Sequence, residues 1–197
     1  MEKNAFLPTV ILVDAEYADG VAFDLTVNFE RMLMRRIPQA NMAQWLVCVA
    51  LDGGVGQGEA SPRQLQVIFL RGQKTKTGLV NFAPGNYADL DGQAFRDTRL
   101  GEFLMSVVGH EGLASDDFFV ECVQTLLSAE AVSTLILVPD MEHYGAALKS
   151  LLAREGRRKQ VTLLAMQPEV GRGFQSEILG YSLMHAMGIR GEELGQE

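Results

Sequence analysis

Residues 8–14 have the sequence PTVILVD, a continuous β-rich run that ends at the acid Asp14. An uninterrupted run of this kind is typical of a strand that is buried on both faces. Such strands occur in parallel sheets that helices cover on both sides, so this stretch predicts an α/β fold.

The rest of the chain repeats the pattern, with apolar strands separated by helical periodicity. Further strands are predicted at Leu65–Leu70, Phe103–Val108, Thr134–Val138 and Gln160–Ala165. The spacing of apolar residues predicts helices at about 20–36, 41–51, 116–129, 144–154 and 174–187. This alternation predicts a three-layer α/β/α fold around a mostly parallel, doubly wound sheet of five strands. We expect residues 1–190 to form one domain and residues 191–197 to form a flexible tail.

The composition excludes some classes of protein. The chain has 197 residues, of which 25 are acidic and 17 basic, for a net charge of −8. A general polyanion binder is excluded, because non-specific affinity for nucleic acid comes from cations at phosphates. No apolar run has the ~20 residues that span a bilayer, so we expect no membrane partner. The apolar content and nine methionines are compatible with a homodimer or a monomer.

The two cysteines indicate the cellular compartment in which the chain resides. Cys48 and Cys122 both lie in helix-like apolar patterns, which predicts buried thiols rather than a disulfide. Thiols of this kind persist in a reducing compartment. We therefore expect a cytoplasmic location.

Acidic residues follow several of the predicted strands. Asp14 directly follows the first strand, and Asp140 follows the fourth with Glu142 two residues on. Asp116 and Asp117 follow the third strand across a short turn. Ligands of open parallel sheets bind beyond the carboxyl ends of the strands. If the first and fourth strands are neighbours, Asp14 and Asp140 face each other there.

Such crowding of carboxylates has an energetic cost. Two carboxylates ~5 Å apart repel by about 3 kcal/mol at an effective dielectric constant of 20. A divalent cation or a retained proton offsets this repulsion, and Mg²⁺ suits a site with one or two carboxylates and several waters. A bound ion can activate water and hold a phosphodiester oxygen. The alternative is that these acids only cap helices or form turns.

Three short motifs, in their order along the chain, resemble those of PIN-like nucleases of the NYN branch. Residues 13–17 (VDAEY) resemble that family's strand followed by D-x-x-N. Residues 115–120 (SDDFFV) resemble its K-G-x-D element with an apolar helix, and residues 135–144 (LILVPDMEHY) its strand followed by S-G-D-x-D-F. The sequence as a whole is also similar to those of small bacterial proteins without an assigned activity.

The resemblance implies a PIN-like, Rossmannoid fold and a Mg²⁺- or Mn²⁺-dependent ribonuclease. The catalytic acids that it implies are Asp14, Asp140, Asp117 and Glu142. It implies metal-binding acids at Asp14, at Asp116 or Asp117 (either of which can face the site), and at Asp140 and Glu142.

Basic residues are predicted at the same edge of the sheet. Arg71, Lys74 and Lys76 lie just beyond the second strand, and Arg172 follows the fifth. Four cations at this edge can contact a phosphate backbone, which makes them candidate nucleic-acid-binding residues. The alternative is an ordinary solvated loop.

Two functional hypotheses follow. The first is a metal-dependent nuclease that hydrolyses phosphodiester bonds of single-stranded or structured RNA at the acidic site. The second is a catalytically inactive PIN-like domain that serves as a protein-interaction or regulatory module. Binding of Mn²⁺ distinguishes them.

Overall fold

The computed structural model describes residues 6–56, 63–73, 77–110 and 115–195, with the backbone alone described at 115 and 116. The strands in these ranges are β1 (Thr9–Asp14), β2 (Ala40–Asn41), β3 (Arg63–Arg71), β4 (Phe82–Ala83), β5 (Ala94–Asp97), β6 (Gly101–Gly109), β7 (Thr134–Val138), β8 (Gln160–Ala165) and β9 (Gln175–Ile178). The helices are α1 (Ala15–Leu33), α2 (Met42–Asp52), α3 (Tyr87–Leu90), α4 (Ser115–Ser128), α5 (Met141–Glu155), α6 (Leu179–Ala186) and α7 (Gly191–Leu194), with a 3₁₀ turn at Gly156–Arg158. None of these described helices is both long and apolar enough to cross a membrane.

The main sheet has seven strands in the order β5-β6-β3-β1-β7-β8-β9. Within it β5 is antiparallel to β6, and the other neighbouring pairs are parallel. The short strands β2 and β4 pair with each other apart from this sheet. All five predicted strands are present, but the prediction that the sheet has five strands is wrong.

The two additional strands lie at the edges of the sheet. Residues of β5 and β9 alternate between exposed and half-buried, so neither strand carries an apolar run. An edge strand pairs on one side only and needs little burial, which explains why hydrophobic patterning did not indicate it. For the same reason, the stretch predicted as one helix over 174–187 contains β9 before α6 begins.

Helices cover both faces of the sheet. On one face, Ile11 and Val13 of β1 share a core with α1, α2 and α6, in which Trp45 is fully buried. On the other face, Val10 and Leu12 share a core with α4 and α5, in which Phe119 is 1% exposed. The alternation of these four residues between two cores follows from the period of two in a strand. The architecture is therefore α/β and compatible with the predicted three-layer arrangement.

The order of strands determines which strand ends meet. β1 lies between β3 and β7, with Val13 paired to Val138 and Asp14 paired to Leu70. The first and fourth predicted strands are thus neighbours, which confirms the condition on which the acidic site depends. The helices α1 and α5 begin directly after Asp14 and Asp140, several residues before their predicted starts.

The predicted tail contains a short helix. Residues Gly191–Leu194 form α7, and Glu193 is ion-paired with Arg35, just beyond α1, at 2.8 Å. Glu193 also accepts a hydrogen bond from the backbone N–H of Arg190 at 2.9 Å. These contacts join α7 to the segment that follows α1.

Candidate functional site

A cleft of about 270 Å³ lies at the carboxyl ends of β1, β3, β6 and β7. Its walls combine carboxylates with aromatic and basic side chains. The lining side chains with polar or aromatic groups are Asp14, Glu16, Tyr17, Arg71, His110, Phe118, Phe119, Asp140, His143 and Tyr144. This is the edge at which a doubly wound sheet binds its ligands.

Asp14 joins the end of β1 to the start of α1. Its Oδ1 accepts a hydrogen bond from the backbone N–H of Tyr17 at 3.1 Å, which caps the helix. Its Oδ2 accepts a hydrogen bond from the hydroxyl of Tyr144 at 2.7 Å. Burial raises the pKa of Asp14 above its ordinary value, and the nearby charges of Asp140 and Glu16 act in the same direction. A bound cation would therefore favour the ionised form of this group.

Asp140 lies between β7 and α5 and caps α5, as Asp14 caps α1. Its Oδ1 accepts hydrogen bonds from the backbone N–H groups of Glu142 at 3.1 Å and His143 at 3.3 Å. Its Oδ2 is hydrogen-bonded to Nδ1 of His143 at 2.7 Å. The imidazole of His143 is 65% exposed, so Asp140 orients a ring that also meets solvent. Both acids are therefore helix caps, as the alternative interpretation of the sequence expected.

Tyr144 connects the two acids. While its hydroxyl donates to Asp14, the same oxygen accepts a hydrogen bond from the backbone N–H of Asp140 at 2.8 Å. Its ring is buried and stacks on Phe119 with the centroids 5.1 Å apart. Burial and the charge of Asp14 raise the pKa of Tyr144, so the hydroxyl remains a proton donor. The backbone at Tyr144 departs from helical geometry, with φ −131° and ψ 15°.

Tyr17 lies close enough to the acids for their negative charges to raise the pKa of its hydroxyl. Burial raises its pKa to about 12, with further contributions from Asp140, Glu142 and Asp14. Glu142 is thus close enough to act on Tyr17 electrostatically, although its own side chain is exposed and does not line the cleft. The electrostatic character of this side of the cleft is negative.

Arg71 provides a positive charge in the same cleft. It ends β3, and its guanidinium lies against Gly109 of β6, where an added Cβ would be 2.8 Å from Nη2. Gly72 follows, and the carboxylate of Glu16 lies against its backbone. The cleft therefore places a cation beside carboxylates, which is the arrangement that a bound phosphate and a bridging metal ion require.

His110 lies directly after Gly109 in the same cleft. Its ring is tilted against Phe118 with the centroids 5.1 Å apart. Both imidazole nitrogens are shielded from solvent, and neither has a hydrogen-bond partner within the described ranges. Buried polar groups are nearly always hydrogen-bonded, so this imidazole is an exception that requires an explanation.

A family model matches residues 3–194, which is nearly the whole chain. It describes a family of unknown function, DUF6621. The chain belongs to DUF6621. No curated protein and no solved structure matches it. Because the family has no assigned function, the resemblance to NYN-type nucleases stays a prediction.

The predicted site residues of this DUF6621 chain are only partly brought together. Asp14, Asp140 and Arg71 line the cleft. Asp117, on α4, and Arg172, in the loop after β8, are exposed and do not line it. Three predicted positions lie outside what the structure describes, namely the side chain of Asp116 and the residues Lys74 and Lys76.

Sequence reasoning missed two contributors to the DUF6621 cleft. The sequence analysis gives Tyr144 no role in the site, although it follows Asp140 by four residues, which places it one helical turn further on. It gives His110 no role either, although this residue lies two positions after the predicted strand Phe103–Val108. The sequence does indicate that both residues lie near the site, because residues just past a strand or one turn into the next helix lie at the edge formed by the carboxyl ends of the strands.

The DUF6621 cleft can be tested for its fit to a divalent cation. Within the described ranges, no group of three or more His, Cys, Asp or Glu side chains has the geometry to hold a metal ion. Two carboxylates are nevertheless sufficient for Mg²⁺, which keeps several of its waters. A carboxylate has about four acceptor sites, and the hydrogen bonds given above occupy two on Asp14 and three on Asp140. These hydrogen bonds therefore leave at least one acceptor site unused on each carboxylate.

Proposed function

We propose that this chain is a PIN-like, divalent-cation-dependent hydrolase of phosphodiester bonds that acts on RNA. The observation that carries the proposal is the pairing of Asp14 and Asp140 through the Tyr144 hydroxyl, in one cleft with Arg71. Carboxylates of this number and type bind Mg²⁺ or Mn²⁺. The choice of RNA follows from the sequence resemblance, and the free cysteines favour a reducing, cytoplasmic setting.

The residues have separate tasks in this proposal. Asp14 and Asp140 hold the cation, which when bound polarises the phosphoryl group and lowers the pKa of a bound water. Tyr144 fixes the spacing of the two acids, because its hydroxyl bonds to one side chain and to the backbone of the other. Arg71 contacts the phosphodiester and offsets its charge, as guanidinium groups do for phosphates. His143 and Glu142 lie at the exposed rim beside Asp140.

An inactive interaction or regulatory module is the second candidate, and two observations favour it. Both acids already cap helices, a role that needs no ligand. In the ranges that the structure describes, a third metal-ligating side chain does not join them. On this hypothesis the fold is retained while metal binding is lost.

Titration calorimetry with Mn²⁺, together with hydrolysis of a labelled single-stranded RNA, tests the proposal. We expect the native chain to bind Mn²⁺ and to hydrolyse the RNA, and EDTA to abolish hydrolysis. Asp14→Asn and Asp140→Asn should each weaken Mn²⁺ binding by at least about 100-fold, since even outer partners of a metal site contribute about 10–100-fold.

Asp97→Asn is the matched control. Asp97 accepts hydrogen bonds from the backbone N–H groups of Arg99 and Leu100, both at 2.9 Å, so it caps backbone as the two candidate ligands do. It lies in β5 at the edge of the sheet and does not line the cleft. This variant should retain Mn²⁺ binding and hydrolysis. A native chain that neither binds Mn²⁺ nor hydrolyses RNA would overturn the proposal and favour the inactive module.

A further inference from the structure

Burial of the His110 imidazole destabilises the folded chain. A buried polar group left without a hydrogen bond destabilises the folded state, and here both nitrogens lack a partner among the described residues. An apolar side chain would fill the same space against Phe118 without that penalty. A histidine that served only to pack would be expected to bond to the backbone or to another side chain.

The surroundings of His110 indicate what it can bind. Arg71 and Gly109 are register partners on β3 and β6, so the guanidinium that lies against Gly109 is next to the backbone of His110. Arg71 and His110 both line the cleft, and both side chains carry N–H donors. The structure shows no ion pair or hydrogen bond from the Arg71 side chain to another described residue. Two N–H donors with no acceptor among the described residues, one of them a permanent cation, are suited to an anion with several oxygens.

We propose that His110 and Arg71 form a phosphate-binding subsite, in which the His110 imidazole donates a hydrogen bond to a phosphate oxygen. Asp14 and Asp140 line the same cleft, so a phosphate held by this subsite lies in one cleft with the acids. The ring packs against Phe118 and its nitrogens are shielded from bulk water, and a hydrogen bond is stronger in such surroundings than in water. The inference rests on the proposed function in one respect, namely that the phosphate belongs to a substrate of the acidic site.

Inorganic phosphate, added to the metal-free full chain, is the probe. The chain has three histidines, so the imidazole signals in a long-range ¹H–¹⁵N NMR spectrum can be assigned individually. We expect the signals of His110 to shift saturably with phosphate, while those of His185, which does not line this cleft, stay unchanged. Signals of His110 that do not move, or that move in parallel with those of His185, would refute the subsite.

Variants provide a second readout. His110→Leu should weaken phosphate binding about 10–100-fold, the effect of losing one hydrogen bond to a charged group. The same variant should keep or raise the melting temperature, because it removes two unpaired nitrogens. Arg71→Gln should weaken phosphate binding as well, and His185→Leu is the matched control with unchanged affinity. Native phosphate affinity in His110→Leu would contradict the proposal.

The subsite and the proposed function fail in different ways. If RNA is not hydrolysed but phosphate shifts His110, the hydrolase proposal falls and the subsite stands. If RNA is hydrolysed and His110→Leu leaves KM unchanged, the subsite falls and the hydrolase proposal stands.

Discussion

At the scale of single residues, the hydroxyl of Tyr144 has the largest effect on the geometry of the cleft. It is buried and bonds to two groups that come from different strands, the side chain of Asp14 and the backbone N–H of Asp140. Without it, a buried carboxylate oxygen and a peptide N–H would both lose a partner. The cleft therefore depends on a residue that need not touch a ligand.

Tyr144→Phe should lower the free energy of unfolding by about 1–3 kcal/mol, because the deletion leaves buried polar groups unsatisfied. Urea denaturation measures this change. Tyr181→Phe removes a hydroxyl from a ring that is 71% exposed, and we expect less than about 0.5 kcal/mol there. Equal stabilities of the two variants would show that the Tyr144 hydrogen bonds contribute nothing net to folding.

The same residues show how far sequence reasoning extends. Asp14 and Asp140 could be predicted as neighbours, because an acid at the end of a buried parallel strand has a known place in the sheet. The positions of Tyr144 and His110 at this edge of the sheet could be predicted. Their roles could not, since their partners depend on side-chain directions at a helix start and past a strand end. For Asp117 the resemblance implies a ligand, while the structure places its side chain in an exposed position on α4 that does not line the cleft.

At the scale of elements, the C-terminal end of α2 carries an unfavourable charge. Asp52 is the last residue of this helix, where the helix dipole disfavours a carboxylate. Partial burial, reinforced by the charge of Glu177 on β9, raises the pKa of Asp52 from 3.8 to about 6. The folded chain thus holds the proton more tightly than the unfolded chain does. The resulting stabilisation is fully present below about pH 4 and is lost as the pH rises through about 6.

Asp52→Asn should therefore raise the free energy of unfolding at pH 8 and leave it unchanged near pH 3.5. The gain should be below about 1 kcal/mol, because solvent screens an exposed group. Thermal or urea unfolding at the two pH values measures it. Asp24→Asn, at an exposed position within α1, is the control and should change little at either pH. A gain of equal size at both pH values would rule out titration of Asp52 as its cause.

Elements also differ in how well the sequence predicts them. The five buried strands carry apolar runs, and each was predicted to within a few residues. The edge strands β5 and β9 have half-exposed, alternating residues, which a hydrophobic pattern does not distinguish from a loop or a helix start. The early starts of α1 and α5 follow from capping by Asp14 and Asp140, a role that the sequence analysis had weighed only as an alternative.

At the scale of the whole molecule, the net charge of −8 limits how RNA can bind. A protein that contacts 6–10 phosphates loses about 10³–10⁵ in affinity when salt rises from about 50 to about 200 mM. An acidic molecule whose cleft contains one Arg and no Lys among the described residues, namely Arg71, should make far fewer such contacts.

We therefore expect a shallow dependence of RNA affinity on salt. Two phosphate contacts give a slope of about −1.4 for log affinity against log salt on a single strand, so a fourfold rise in salt weakens binding by about sevenfold. Fluorescence anisotropy of a labelled single-stranded RNA in EDTA, where hydrolysis is not expected, measures the slope. Arg71→Gln should reduce its magnitude by about half, since one of the two contacts is lost. A loss of a hundredfold or more over this range would mean that further cations, Lys74 and Lys76 among them, carry the binding instead.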